Sequence, residues 1–353
     1  MPRLLPALIV ALLLCACTTP HDPWRQQPLT HLDPGTVVTL RVLRADNPRL
    51  PRMTDAQIQT LLAATQRTVQ THFGVTLRFS VVEETDVAQL FARLPPRVRA
   101  ARATSIYDFK SGHGDPQRIA QGLLATLRTH GTTLDEAYAY AQPYLPAATR
   151  PDSLRAFSAQ LTDVMLKRLQ AWRTLPAPDG RPVLDDTPYN EWIDWDTLGY
   201  GELQYDIVIT NQLIASAEDE GVDIHTAIRG GLTVGTTTYS RQGRYGSFVF
   251  WSTFPFTDDS ALTAELRGGE RYTPQEAAEL SGAYLAHEIG HLLFRFGHPF
   301  ARPACVMDPV RMLRFRAWQQ GLDATRCRIG SSPEMRPGAI PETYHKDWLR
   351  LAQ

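Results

Sequence analysis

The sequence predicts an α+β fold: a mixed twisted sheet backing one long, well-capped helix, with a helical insertion and a small, mostly irregular or helical C-terminal subdomain. Three observations predict it. Alternating apolar residues flank a helical pattern between residues 37 and 82, a helical block occupies about residues 84–200, and strand patterns return before a strong helix start at Thr273. The 353 residues are 43% hydrophobic and 21% charged, ordinary for a globular chain. With a formal net charge of −1 the chain carries no global field for a polyanion, and no nucleic-acid partner is expected.

Residues 37–43 alternate as a strand. Thr54 and Gln57 form a capping-box signature opening a helix through about His72, on which Ile58, Leu61, Leu62 and Val69 recur near helical spacing. Gly74 closes it and residues 75–82 alternate again. A strand, helix, strand run implies a right-handed crossover and a parallel pair. From about Glu84 to Tyr200 helical stretches follow, one opened by Thr133 with Glu136, and read as an inserted layer or subdomain. The acidic, aromatic stretch from Asp185 to Asp196 lacks the carboxylate spacing of a calcium loop and reads as a solvated connection. Strand signals return at 205–210, 232–239 and 247–253, the last two joined as a hairpin through the Arg241 to Gly246 turn. Thr273, Pro274 and Glu276 then supply N-cap, N1 and N3 of a helix expected to run to Phe296.

On that helix His287 and His291 lie four apart, one turn from each other on one face. Such a pair can offer one nitrogen each to a zinc ion. Glu288, angled away from them, is placed to take a proton from water that the metal activates, which is the chemistry of carbonyl hydrolysis. The third ligand needs a bend in the chain. His298 follows His291 by seven residues, and on a continued helix it would stand about 10.5 Å further along the axis. Gly297 is expected to supply the reversal as a left-handed C-cap, with Pro299 preventing continuation. Asp308 and His345 are the other candidates for the third position.

HEIGHLLFRFGHP followed by CVMDP resembles the metzincin clan of zinc metallopeptidases, in which HExxHxxGxxH precedes a tight turn around a methionine beneath the metal. The resemblance implies that His287, His291 and His298 bind one zinc ion, that Glu288 is the general base and acid, and that Met307 packs below the metal. The cysteine two before Met307 is similar to the archaemetzincin branch. The order of strands and helices upstream is similar to a metzincin N-terminal subdomain, apart from the helical block, which the resemblance does not cover. The chain departs from the clan at Phe294, which holds the clan's glycine place, and its third histidine comes one residue later. Archaemetzincins place a cysteine directly after the third histidine, where this chain has Pro299, so a second zinc is not expected. By position in the clan, the strand beginning Leu232, Thr233, Val234, Gly235 and Thr236 would form the cleft rim and pair with an extended protein or peptide substrate. Tyr284 reads as packing, and Met312, Phe315 and Trp318 read as core of the lower subdomain.

Residues 1–14 combine one Arg with an apolar run too short to span a bilayer, as an export signal does. Ala16 followed by Cys17 resembles a bacterial lipobox, which implies a signal peptide over residues 1–17, acylation of Cys17 and a tether over 18–33. The membrane is then reached through lipid alone. Thr18, in place of a retaining aspartate, favours the outer membrane, with the protein facing the periplasm or cell surface. Cys15 leaves with the signal, so Cys305 and Cys327 remain, and in an oxidising compartment they are expected to pair as a disulfide. The organisation expected is a catalytic subdomain over 34–297 and a C-terminal subdomain with the Met-turn over 298–353. The function expected is that of a membrane-anchored zinc metalloendopeptidase. The alternative is a non-catalytic zincin-like lipoprotein that holds a protein partner.

Overall fold

The structure, a computed structural model, describes residues 27–33, 35–98, 115–145, 150–184, 190–201, 203–217, 222–238, 247–300 and 302–340. The signal, Cys17, the 241–246 turn and His345 lie outside the described residues. Among those described, no helix is long and apolar enough to cross a membrane.

Five strands form one sheet in the order β2-β1-β3-β5-β4: β1 Val37–Asp46, β2 Thr76–Asp86, β3 Ile207–Thr210, β4 Gly235–Thr238 and β5 Phe248–Ser252. Every pairing is parallel except that of the edge strand β4, which runs antiparallel to β5. The fold is therefore mixed α/β with a mostly parallel sheet, compatible with the α+β expectation. Helix α1, Asp55–Phe73, makes the crossover between β1 and β2. Both arms of the Thr54 and Gln57 capping box are present, and Gly74 ends the helix at φ 73° with its N–H on the Gln70 carbonyl.

Further α-helices among the described residues include α2 Val87–Ala92, α3 Pro116–Thr129, α4 Leu134–Ala141, α5 Leu154–Thr174, α6 Trp192–Asp196, α7 Ile224–Ile228, α8 Phe254–Thr257, α9 Ala261–Leu266, α10 Pro274–Phe294 and α11 Phe315–Gly321. Both sheet faces are covered, which is why β3 and β5 are buried at every position. Ile207, Ile209, Val249 and Trp251 join the larger cluster with α1 and α10, while Val208, Phe248 and Phe250 join a smaller one with α2 and α6.

Among the described residues the helical block has no separate core. Ile119, Tyr140, Phe157, Leu161 and Trp172 belong to the same cluster as the α10 side chains. Polar contacts tie it to the chain beyond: Trp172 Nε1 donates to the Arg229 carbonyl at 2.8 Å and the Tyr140 hydroxyl to that of Pro309 at 3.2 Å. The stretch expected as a solvated connection is mostly buried where it is described. Trp195 packs edge-on against Phe91 at 5.2 Å and beside Phe250 at 5.7 Å, covering the second sheet face, and Asn190, Glu191 and Asp194 are buried with it. The expected tether is likewise fixed at its end, for the Leu29 N–H donates to the Leu293 carbonyl at 2.7 Å.

Helix α10 starts as its sequence requires, with the Thr273 side chain accepting from the Glu276 N–H and Pro274 in the first turn. The Glu276 carboxylate does not return to the cap; it accepts from Arg316 Nε at 2.6 Å. The helix crosses α1 at Gly282, where a Cβ would stand 2.0 Å from the Leu61 carbonyl oxygen. The buried Thr65 hydroxyl bridges the crossing, 2.9 Å from the Gly282 carbonyl and 3.0 Å from that of Leu61. Gly282→Ala should push the helices apart and lower stability by about 1–3 kcal/mol, read as a fall in denaturant midpoint. An unchanged midpoint would contradict the close crossing.

Candidate metal centre and cleft

Two turns of α10 place His287 and His291 on one side, as their spacing requires, but the end of the helix differs from expectation. It stops at Phe294 rather than Phe296, and the left-handed residue is Arg295 at φ 58°, not Gly297. A residue with a Cβ takes this conformation at a cost of about 1–2 kcal/mol, so something must hold it. The carbonyls of the last turn supply the reason. That of His291 accepts from the Arg295 N–H (2.9 Å), that of Leu292 from the Arg295 guanidinium (2.7 Å), that of Leu293 from Leu29, and that of Phe294 from the Gly338 N–H (2.8 Å). The other guanidinium arm donates to Ser247 Oγ at 3.0 Å, and the whole side chain is buried. Phe294 and Phe296 stack on each other at 4.7 Å and both meet Phe73, so the turn is clamped on its apolar side as well. Gly297 instead lies against Glu334, donating its N–H to that carbonyl at 2.8 Å.

This turn returns His298 to the helix. The Nε2 atoms of His287, His291 and His298 form a triangle with sides of 3.1, 3.1 and 2.9 Å. Each ring has its Nδ1 against an oxygen: Val306 O at 3.0 Å for His287, Phe296 O at 2.5 Å for His291, and Asp223 Oδ2 at 3.0 Å for His298. Carbonyl and carboxylate oxygens only accept, so the Nδ1 atoms carry the protons and the three Nε2 atoms face one another as bare lone pairs. Burial, and then the neighbouring rings, hold His287 and His291 well below the ordinary imidazole range. A cation among the three lone pairs would relieve their mutual repulsion. Two ligands at tetrahedral positions on zinc stand about 3.3 Å apart, close to the observed separations, and the cluster could hold a metal ion.

The floor of this site is the turn around Met307. Val306 supplies the His287 acceptor, and Met307 fills the space opened by Gly290, where a Cβ would lie 2.3 Å from the Met307 sulfur. Cys305 and Cys327 are joined as a disulfide with Cα atoms 4.8 Å apart, and Met335 covers the pair. Tyr284 stacks on His287 at 5.3 Å while meeting Phe315 and Trp318, so it is both packing and site wall. Met312, Phe315 and Trp318 are buried in the main cluster.

Glu288 projects toward the sheet edge. Its Oε2 accepts from the Thr237 hydroxyl at 2.9 Å, and burial pushes its carboxyl up to about 7 against that hydrogen bond. It opens with His291 and His298 on a cavity of about 950 Å³ whose wall includes Thr233, Val234, Gly235, Thr236 and Thr237. Not all of the expected rim strand is available. Leu232 bridges Ala215 and the Thr233 N–H donates to the Ile214 carbonyl at 2.9 Å, so the open edge begins at Gly235.

Asp223 is the site residue that sequence reasoning missed. It caps α7 through Oδ1, which accepts from the Ile224 N–H at 2.7 Å, and holds His298 through Oδ2. Burial alone would raise its carboxyl; His225 and His298 outweigh that and keep it well below the usual carboxylate range. A lone Asp before a short helix gives no sign of this partner 75 residues away. Asp308 does not join the histidine cluster. Its carboxyl is buried with Oδ1 unpartnered and is pushed up to about 8.

Asp223→Asn keeps the cap but loses the charge, and should weaken metal affinity about 10–100-fold with the fold intact, as read by metal-buffered titration. For Asp308 the sign follows from its raised folded pKa. Unfolded Asp308 ionises near pH 4 while the folded group stays protonated to about 8, so its contribution to stability is full at low pH and is lost across that window. Asp308→Asn should therefore gain in melting temperature over the parent at pH 8 and not at pH 4.

No protein-family profile, curated protein or solved structure matches the chain, so its chemistry is read from the geometry of this site.

Proposed function

We propose that the chain is a zinc-dependent metalloendopeptidase of metzincin-like architecture, tethered to the bacterial cell envelope by lipid on Cys17. The observation that carries the reading is three bare imidazole nitrogens within 3.1 Å of one another beside a buried carboxylate on an open cleft. An all-imidazole set suits zinc rather than calcium or magnesium, and three protein ligands leave a position for chemistry. When bound, the metal would polarise a carbonyl and activate water.

The chain's own groups support the rest. Glu288, pushed up to about 7, is poised to accept a proton near neutrality and to release it to a leaving amine. The strand from Gly235 to Thr238 is an edge of the sheet with no further strand paired to it among the described residues, and so offers a side for an extended peptide, alongside the carboxylate that Thr237 orients. The shifted third histidine also has a simple account. In the clan pattern the turn glycine precedes the third histidine by three residues, and Arg295 precedes His298 by three, so turn and ligand are displaced together by one residue.

Glu288→Gln should retain one zinc per chain while hydrolysis of an unfolded protein falls about 10²-fold or more. Equal hydrolysis in that variant would remove the peptidase assignment. A parent protein that binds zinc and an unfolded chain without cleaving it, with or without chelator, would leave the partner-binding alternative. His298→Ala should lose tight zinc binding; unchanged affinity would discard His298 as a ligand.

A further inference from the structure

The cavity onto which Glu288, His291 and His298 open is also lined by three arginines; Arg302 is exposed and bound to the Ser331 carbonyl at 3.1 Å, and the other two are Arg229 and Arg311. Arg229 is 1% exposed; it donates to the Val310 carbonyl and the Tyr284 hydroxyl, and its Nε has no partner. Arg311 is half-buried over the Tyr140 ring, its guanidinium carbon 5.2 Å from the centroid. The two are neighbours, because the Tyr140 hydroxyl donates to the Pro309 carbonyl and Arg229 to the next one along. Among the described residues, neither has a carboxylate at ion-pair distance.

Three of the cavity's four acids are committed elsewhere. Asp223 holds His298 and caps α7, Glu136 closes the capping box of α4, and Glu288 is bound by Thr237. Glu334, packed beside Gly297, pairs with neither arginine. Asp308, the carboxyl whose field reaches Arg311, is kept protonated by burial and forms no ion pair. A guanidinium withdrawn from water without a counter-charge is costly to the fold, and a carboxylate arriving in a ligand offsets that cost with paired, charge-assisted hydrogen bonds.

We propose that Arg229 and Arg311 form an anion subsite that receives a carboxylate of the substrate. This rests on the peptidase reading and extends it to specificity: the preferred peptide carries an acidic group a short distance from the scissile bond. The group is either an Asp or Glu side chain or the free α-carboxylate of a C-terminus.

The test uses the full chain with Glu288→Gln, loaded with zinc, in calorimetric titrations with peptides. One series is an amidated octapeptide in which Glu and Gln are exchanged at each position in turn; the other compares its free and amidated C-termini. The expected result is one position, or the free terminus, at which the carboxylate binds about tenfold or more tighter than its neutral counterpart. The responding series identifies the source. Arg311→Ala in the same background should reduce that ratio to within about twofold while zinc content is unchanged, and Arg229→Lys should reduce it as well. Ratios within twofold throughout the series before any arginine is changed would overturn the proposal, whether or not Arg311→Ala folds. So would a ratio that survives Arg311→Ala. Discrimination by a protein whose Glu288 form cleaves nothing would instead overturn the peptidase reading and leave the subsite standing.

Discussion

The carbonyl oxygens at the end of α10 are shared among three separate parts of the chain, and the site depends on that sharing. Leu29 comes from the N-terminal segment, Gly338 from the C-terminal one, and Arg295 from the turn itself, each donating to a different carbonyl of the last turn. Left unpaired, those buried acceptors would each cost about 1–3 kcal/mol, which exceeds the cost of one left-handed arginine. The turn is therefore determined by its surroundings rather than by local preference. Its consequence is chemical, since a helix that continued by one more turn would carry His298 away from His287 and His291.

The same logic fixes the ring nitrogens. Three acceptors from three elements, Val306 beneath α10, Phe296 in the turn and Asp223 at the start of α7, each hold one Nδ1 proton. None of them is adjacent in sequence to the ring it orients, so the set exists only in the folded chain. Any metal ion bound there would couple its affinity to folding and stabilise the native state over the unfolded one. Gly290 and Met307 show the coupling at its tightest: the helix lacks a side chain where the thioether sits, so the floor and the ligand helix fix each other.

Elements with local signals were legible in the sequence. Thr54 with Gln57, Gly74, and Thr273 with Pro274 set helix ends through neighbours within four residues, and the structure uses each of them. The pairing of β1 with β2 followed from alternation and from the crossover rule. Long-range relationships were not legible. Arg295 as the turn residue depends on Leu29 and Gly338, burial of Asp194 and Trp195 depends on an uncovered sheet face, and the role of Asp223 depends on α7 lying across from the turn. Glycine preference pointed to Gly297 because propensity weighs only the residue's own backbone, whereas here hydrogen bonding of the neighbouring carbonyls decided.

The helical block gains meaning from the same geometry. Buried residues of its α3, α4 and α5 join the α10 cluster, and one of its deep polar contacts, the Tyr140 hydroxyl on Pro309, lies just past the Met307 turn. Tyr140 also meets Phe300 at 5.3 Å, and Phe300 meets His298 at 5.5 Å, so an aromatic wall runs without a break from the block to the third histidine. A displacement of α4 would therefore be felt at Pro309 and at His298 together. Side chains packed at this density transmit strain rather than absorb it, so the block buttresses the three-histidine cluster from the side that the sheet does not cover.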